Sequence, residues 1–290
     1  MAKPPPPKLD ETPLAPGLYV VATPIGNLRD VTLRALDVLA AADLVLAEDT
    51  RVTAKLLGAY GLSKRLERYD EHAAARARPK ALAALAEGAR VALVSDAGTP
   101  LVSDPGYRLV TEALAAGVAV VPIPGASATL AALAAAGLPT DRFLFVGFPP
   151  PRSAARRTFL AELAGTRATL VIFEGASRLG ASLADMAEVL GPRTAVVARE
   201  LTKLHEEFVR GTIQEVIEHF QASPVRGEIT LVVGGAPSNA LSLDLGQRLA
   251  ELSQSGLSTR DAVATLTRET GLPRRQVYRL LLGARKYAKM

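Results

Sequence analysis

The sequence predicts an α/β fold: a largely parallel sheet, a second α/β unit after it, and a small helical module at the C-terminal end. Three observations carry this. Apolar, β-branched runs at Leu18–Ala22, Leu44–Ala47, Arg90–Val94 and Val118–Val121 alternate with segments of helical spacing. The runs are continuous rather than alternating, as expected of strands covered on both faces. Gly and Pro cluster just after them, at Thr23-Pro24-Ile25-Gly26, Ala97-Gly98-Thr99-Pro100 and Pro122–Gly125, where such sheets bind ligands.

The intervening helices are expected at Thr32–Ala41, Thr50–Tyr60, Ala73–Glu87 and Tyr107–Ala116. Between Glu112 and Asp141 there is no charge for 28 residues. A membrane helix needs about 20 continuous apolar residues. Pro122-Ile123-Pro124-Gly125 cuts this stretch, so it reads as a buried strand, a turn and an Ala-rich helix at Ser127–Ala136. A break near Gly137–Arg142 opens the second unit. Its strands are expected at Phe143–Val146, Thr169–Phe173, Thr194–Ala198, Glu207–Gly211 and Ile229–Val233, and its helices at Ala155–Leu163, Leu179–Leu190 and Ile213–Gln221. Asp244–Ser253, Ser258–Glu269 and Arg274–Lys286 read as helices, the last two joined through Gly271-Leu272-Pro273 like a helix-turn-helix. The expected divisions are a Pro-rich leader (1–15), a first α/β domain (16–138), a second (139–238) and a basic helical module (239–290). The leader has no apolar signal region, so a soluble, cytoplasmic protein is expected.

Composition removes several function classes. The 290 residues include no cysteine, which excludes a thiolate zinc site, an iron–sulfur cluster and a cysteine nucleophile. Three histidines, His72, His205 and His219, make a multi-histidine metal centre improbable. No tryptophan and 4% aromatics leave few base-stacking platforms. The net charge of +5 is localised: residues 241–290 hold nine basic and four acidic residues, so the first 240 are neutral. A neutral body with a basic tail suits a polyanionic partner, although a solvated helical face has the same composition. Arg152, Arg156 and Arg157 form a second basic cluster.

The first turn, Thr23-Pro24-Ile25-Gly26-Asn27, lacks the G-x-G-x-x-G pattern, and Pro24 removes a donor that a phosphate cradle would use. This argues against NAD or FAD. Glu48-Asp49-Thr50-Arg51 follows a buried strand; a helix cap explains one of these residues, and the remaining charge suits a polar site. Ser95–Gly106 is a twelve-residue loop between strand and helix, a length that usually marks either function or disorder. Pro124-Gly125-Ala126-Ser127 is a second small-residue loop, and two such loops from adjacent strands can bracket a small molecule with backbone groups. Arg199, Glu200, Lys203, His205 and Glu206 crowd the end of another strand, either as a solvated turn or as a site edge. Gly227-Glu228 has the same character more weakly.

Taken in order and spacing, Val20–Leu28, Glu48–Arg51, Ser95–Gly106, Pro122–Ser127, Ala198–Lys203 and Gly227–Thr230 resemble the ribosomal RNA small-subunit methyltransferase I family, within the tetrapyrrole-methylase superfamily. The resemblance covers nearly the whole chain. It implies a two-domain class III S-adenosylmethionine methyltransferase, typically a homodimer, with the cofactor in the interdomain cleft. The implied reaction is 2′-O-methylation of a cytidine in the 16S rRNA of the 30S subunit. Cofactor contacts are implied at Pro24 and Ile25, at Gly98, Thr99 and Val102, at Ser127 and Ala128, and at Phe173 and Glu174. Where the family has a Tyr-Glu-Ser-Pro-His-Arg-like run, this chain has Phe173-Glu174-Gly175-Ala176-Ser177-Arg178, which keeps Glu174 and Arg178 and departs at Gly175-Ala176.

Methyl transfer to a ribose hydroxyl is an in-line displacement that needs alignment at about 3–3.5 Å, exclusion of water, and a base. Glu48, Asp49, Glu200, Lys203 and Glu206 are the candidate bases, with Arg199 as a phosphate contact; the sequence does not choose among them. No metal-ligand set is visible. Two other readings use the same residues: a tetrapyrrole (precorrin) methyltransferase, which has no need of the basic tail, and a non-enzymatic DNA-binding regulator built on the C-terminal helices.

Overall fold

The computed structural model describes residues 9–10, 12–221, 225–237, 252, 258–270 and 277. In the first half, β1 (Gly17–Val21), α1 (Leu33–Ala41), β2 (Leu44–Ala47), α2 (Thr50–Ala59), β3 (Leu66–Arg68), α3 (Ala74–Ala86), β4 (Arg90–Val94), α4 (Tyr107–Ala115), β5 (Val120–Ile123) and α5 (Ala128–Ala136) follow one another. The sheet order is β3-β2-β4-β1-β5, and every pairing is parallel. Both faces are covered. Tyr19, Val21, Val45, Ala47, Ala92 and Val94 pack under α1, while Leu18, Leu44, Leu46, Val91 and Leu93 pack under α3 and α4. A continuous apolar run is thus the residue pattern this sheet requires. β1 continues to β2 on one side and β4 to β5 on the other, so the carboxyl ends of the neighbours β1 and β4 open a crevice.

The second sheet is built from β6 (Phe143–Gly147), β7 (Thr169–Gly175), β8 (Thr194–Arg199), β9 (Glu207–Thr212) and β10 (Glu228–Val233), with α6 (Ser153–Leu163), α7 (Leu179–Leu190) and α8 (Ile213–Gln221) between them. Its order is β6-β7-β10-β8-β9. Only β6 and β7 are parallel; β7–β10, β10–β8 and β8–β9 are antiparallel. The largely parallel character expected from the sequence therefore holds for the first sheet alone. α5 packs Ala132, Leu133 and Ala136 on Val171, Val196, Ala198 and Val232, so the helix that leaves the first sheet covers a face of the second.

Two of the three arginines in the basic cluster after β6, Arg156 and Arg157, are held in ion pairs, while Arg152 is exposed. Arg156 is 2% exposed and Asp185 4%. Arg156 Nε donates to Asp185 at 2.7 Å and Nη1 to the carbonyl of Pro151 at 3.1 Å; Arg157 pairs with Asp185 and Glu188. Arg156 is therefore no RNA contact: burial and a carboxylate 29 residues away consume it.

Contacts group both sheets into one compact unit, residues 1–163 and 168–234; residues 164–167 and 235–290 form another. In the latter, α9 (Thr259–Thr270) is capped by Ser258, whose Oγ accepts from Asp261 N at 3.2 Å, and Leu252, Ala262, Val263, Leu266 and Val277 form a small core. Apart from Leu252 and Val277, the expected helices Asp244–Ser253 and Arg274–Lys286 lie outside the described residues, as does most of the leader. Of the nine basic residues there, only the Arg260 side chain is described, and it is exposed. Among the described residues no helix is long and apolar enough to cross a membrane.

Candidate active site

The crevice between β1 and β4 is tied shut at its base. Thr23 and Gly98 exchange two backbone hydrogen bonds of 2.8 and 3.0 Å, joining the turn after β1 to the loop after β4. Gly98 has φ +79°, and a Cβ there would meet Ile25 Cγ2 at 3.2 Å, so only glycine fits without displacement. Thr99 Oγ1 donates to the carbonyl of Ala126 at 3.3 Å and ties in the loop after β5. Ser127 caps α5, its Oγ accepting from Leu130 N.

These loops form one wall of a cleft of about 380 Å³. Ile25, Gly98, Thr99, Val102, Ser127 and Ala128 line that wall, and Phe173 and Glu174 line the facing one with Phe148 and Ile229. Of the implied cofactor contacts only Pro24 is absent from this cleft; it lines a neighbouring cavity. Phe148 lies 5.5 Å from Phe173 between ring centroids and is 56% exposed. Glu174 is buried and fully engaged: its carboxylate accepts from Gly175 N at 2.8 Å and from Ser182, and pairs with Arg178 at 2.7 Å. It holds the rim in place and has little left to offer a ligand.

Besides Glu174 and the Lys203-paired Glu228, three carboxylates, Glu48, Asp96 and Asp104, share the cleft. Burial pushes Asp104 up to about 6 against a hydrogen bond from Ser95, with the charges of Glu48 and Asp96 adding to the rise. Burial also raises Glu48; the Asp96 N–H, which donates to Glu48 Oε2 at 3.4 Å, opposes it, and the charges of Asp96, Asp70 and Asp49 add to it. Asp49 is different. It caps α2, accepts from Arg51 N at 2.8 Å, and is held well below the usual carboxylate range by the Arg51 guanidinium and N–H. It lines neither cavity.

Of the Arg199–Lys203 stretch, Leu201 lines this cleft and Lys203 the neighbouring cavity, while Arg199 and Glu200 line neither. Arg199 pairs with Glu207 at 2.8 Å, bridging β8 to β9. Lys203 Nζ bonds Glu200 at 2.9 Å and Glu228 at 3.0 Å. Burial acts against its charge, but the two carboxylates outweigh it and raise its pKa, so Lys203 is a fixed cation. Glu200 is lowered by the N–H of Glu228 and by Lys203. Glu206 accepts from Thr202 N. Among the described residues, the non-glycine positions with positive φ are Leu101, Ser103, Glu200 and Thr202, all in the two loops that frame these cavities. Strain of this kind clusters at functional sites.

Asp96, Asp104, Thr129 and Phe148 line the cleft too, although no motif marks them singly. Asp96 and Asp104 belong to the long Ser95–Gly106 loop, and Phe148 is an aromatic in a Pro-rich loop of a chain with seven phenylalanines. Thr129 carries no such signal. Its Oγ1 is buried at the cleft without a hydrogen-bond partner. An orphaned buried hydroxyl, a glycine cradle, two phenyl rings and three carboxylates suit a ligand that is polar, aromatic and cationic at once. S-adenosylmethionine has that chemistry, and the residues present fit it.

A double-sheet fold with such a cleft defines a class III, S-adenosylmethionine-dependent methyltransferase. Residues 17–217 match the family model of tetrapyrrole (corrin/porphyrin) methylases, and residues 239–286 match a model described as the RsmI C-terminal HTH domain. Solved structures share the fold: the methyltransferase CobJ (TM-score 0.58, 23% identical, covering 76% of this chain and 94% of that one). A Thermus thermophilus uroporphyrin-III C-methyl transferase complexed with S-adenyl homocysteine gives 0.52 at 23%, covering 75% and 97%.

The chain belongs to the ribosomal RNA small subunit methyltransferase I family. The relative of that name from Mesorhizobium japonicum is 50% identical over 273 residues, covering 93% of this chain and 92% of its own. That from Halalkalibacterium halodurans is 43% identical over 270 residues, covering 91% and 93%. The precorrin and DNA-regulator readings are not favoured by these matches.

Proposed function

We propose that this protein transfers methyl from S-adenosylmethionine to the 2′-hydroxyl of a cytidine in 16S rRNA, acting on the 30S subunit as a cytoplasmic homodimer. The family membership supports rRNA methylation. The observation that carries the chemistry is the cleft in which Gly98, Thr99, Ser127 and Ala128 face Phe148 and Phe173 around three carboxylates. When bound, the cofactor supplies an electrophilic methyl group on a cationic sulfur.

The chain's residues divide the remaining work. The phenyl rings and Ile25 give apolar surface, the small-residue loops bring backbone groups close, and Asp96 and Asp104 present negative charge to a cation. Glu48 is the general base in this reading: it lines the cleft, and its raised pKa favours proton uptake. Lys203, held by Glu200 and Glu228, orients the acceptor, and Glu200 is its positioning residue. Arg199 keeps the β8–β9 edge in place. The basic tail, most of it outside the described residues, is the proposed RNA grip.

The test uses radiolabelled cofactor with 30S subunits and, separately, naked 16S rRNA, followed by nucleoside analysis. Label in an alkali-stable dinucleotide as a 2′-O-methylcytidine is the expected result. Label on a base, or none on either RNA, contradicts the proposal.

A further inference from the structure

Beside the cofactor cleft lies a second cavity of about 300 Å³. Leu28, Val52 and Lys55 line it from the β1 turn and α2, and Lys203 lines it from the loop after β8. The two cavities have Ile25, Asp96, Ala97 and Glu228 in common, so residues just after β1 and β4 and at the start of β10 form the wall between them. At this wall the turn and the far loop approach closely: a Cβ on Gly26 would meet Lys203 Cγ at 2.5 Å and Thr202 Oγ1 at 2.8 Å.

We infer that the second cavity is the pocket for the acceptor nucleotide, turned out of its RNA helix. This rests on the 2′-O-methyltransferase reading above. Displacement at the methyl carbon requires the attacking oxygen at about 3–3.5 Å and in line, so the acceptor must enter from a space that adjoins the cofactor cleft. A cationic centre is drawn to the carboxylates, and one of them, Asp96, stands on the shared wall. The volume is at the small end of ligand pockets, which suits a single nucleoside. Enzymes that do chemistry on a base extrude the nucleotide from its stack, and a ribose hydroxyl that must reach a methyl group inside a cleft makes a like demand.

The lining chemistry agrees. Leu28 and Val52 are 44% and 38% exposed, apolar surface that a base can cover. Lys55 is exposed and joins no ion pair among the described residues, which leaves its ammonium free for a phosphate. Lys203 spends two of its three N–H donors on Glu200 and Glu228 and keeps one for the nucleotide. Glu48 precedes α2, so the proposed base stands next to the helix that forms the pocket. In the step itself the 2′-O–H bond breaks and its proton passes to the Glu48 carboxylate. The oxygen pair forms the new C–O bond. The C–S bond breaks with its pair going to sulfur, leaving a neutral thioether. Glu48 then releases one proton to solvent.

Val52→Trp and Lys55→Glu, made in the full chain, test this. Val52→Trp fills the pocket and should lower kcat/KM on 30S subunits at least 30-fold. Lys55→Glu should raise KM for 30S at least tenfold and reduce the salt dependence of that KM by about one unit of log–log slope. Both should bind S-adenosylmethionine within twofold of the parent by calorimetry, with unchanged melting and sedimentation. Parental kcat/KM in both variants overturns the assignment. So does loss of cofactor affinity, which would place the cavity in the cofactor site, or a changed oligomer, which would make it a self-contact. A parent that methylates no 30S subunit at all defeats the functional reading, and the pocket with it.

Discussion

Asp104→Asn separates what the cleft carboxylates do for the ligand from what they do to the fold. The folded pKa of Asp104 is pushed up to about 6 from 3.8, chiefly by burial. The folded state therefore binds more protons than the unfolded chain between those values, and stability falls as pH rises from about 4 to about 6. Above pH 6 the whole penalty is present; below 3.8 it vanishes. Two pH units correspond to about 3 kcal/mol. Asp104 is only partly buried, and solvent screening brings this to about 1.5 kcal/mol. Asparagine keeps the shape without the charge. The variant should be more stable than the parent by about that amount at pH 8, roughly 3–6 °C in Tm for a unit of this size, and equal to it at pH 4. Its affinity for S-adenosylmethionine should fall about three- to tenfold, with S-adenosylhomocysteine, which has no sulfonium charge, little affected. Denaturation at a series of pH values and calorimetry with both ligands read this out. Parallel pH–stability curves for the two proteins, or equal loss of both ligands, would refute the electrostatic reasoning.

Gly98→Leu should abolish cofactor binding while the cooperative melt persists, because its Cβ meets Ile25 at 3.2 Å and its φ of +79° disfavours a side chain; unchanged calorimetric affinity would move the cofactor elsewhere. Arg156→Ala leaves Asp185 buried with Ser153 and the half-exposed Arg157 as its remaining partners, and should lose about 3 kcal/mol in urea denaturation. A loss under 1 kcal/mol would show that Arg157 alone satisfies Asp185. Removal of residues 241–290 takes away the entire net charge of +5 and should weaken 30S binding while cofactor affinity stays constant; equal 30S affinity would clear the tail of RNA contact.

How far each feature was legible depends on the distance its cause spans along the chain. The strands of the first sheet were readable because burial on both faces leaves a local imprint, an unbroken apolar run. β3 was not, since Leu66-Glu67-Arg68 is a three-residue edge strand paired only with β2 and needs no such run. Strand direction in the second sheet left no imprint either: Val196 or Leu231 is buried alike whichever way its neighbour runs. The same division holds in the site. Gly98 and the small residues around Ser127 were legible because close backbone approach constrains residue type on the spot. Asp104 was not, since its pKa reflects burial and the charges of Glu48 and Asp96, the first of them 56 residues away in sequence. Arg156 makes the point in reverse. Beside Arg152 and Arg157 it reads as solvent-facing charge, and only Asp185, brought in by α7, turns it into an internal brace. Charge in a sequence therefore says little about role until its partner is known. Lys55 joins no ion pair among the described residues and lines the second cavity, whereas Arg152, Arg156 and Arg157 line neither cavity, so Lys55 is the cation placed to meet the acceptor.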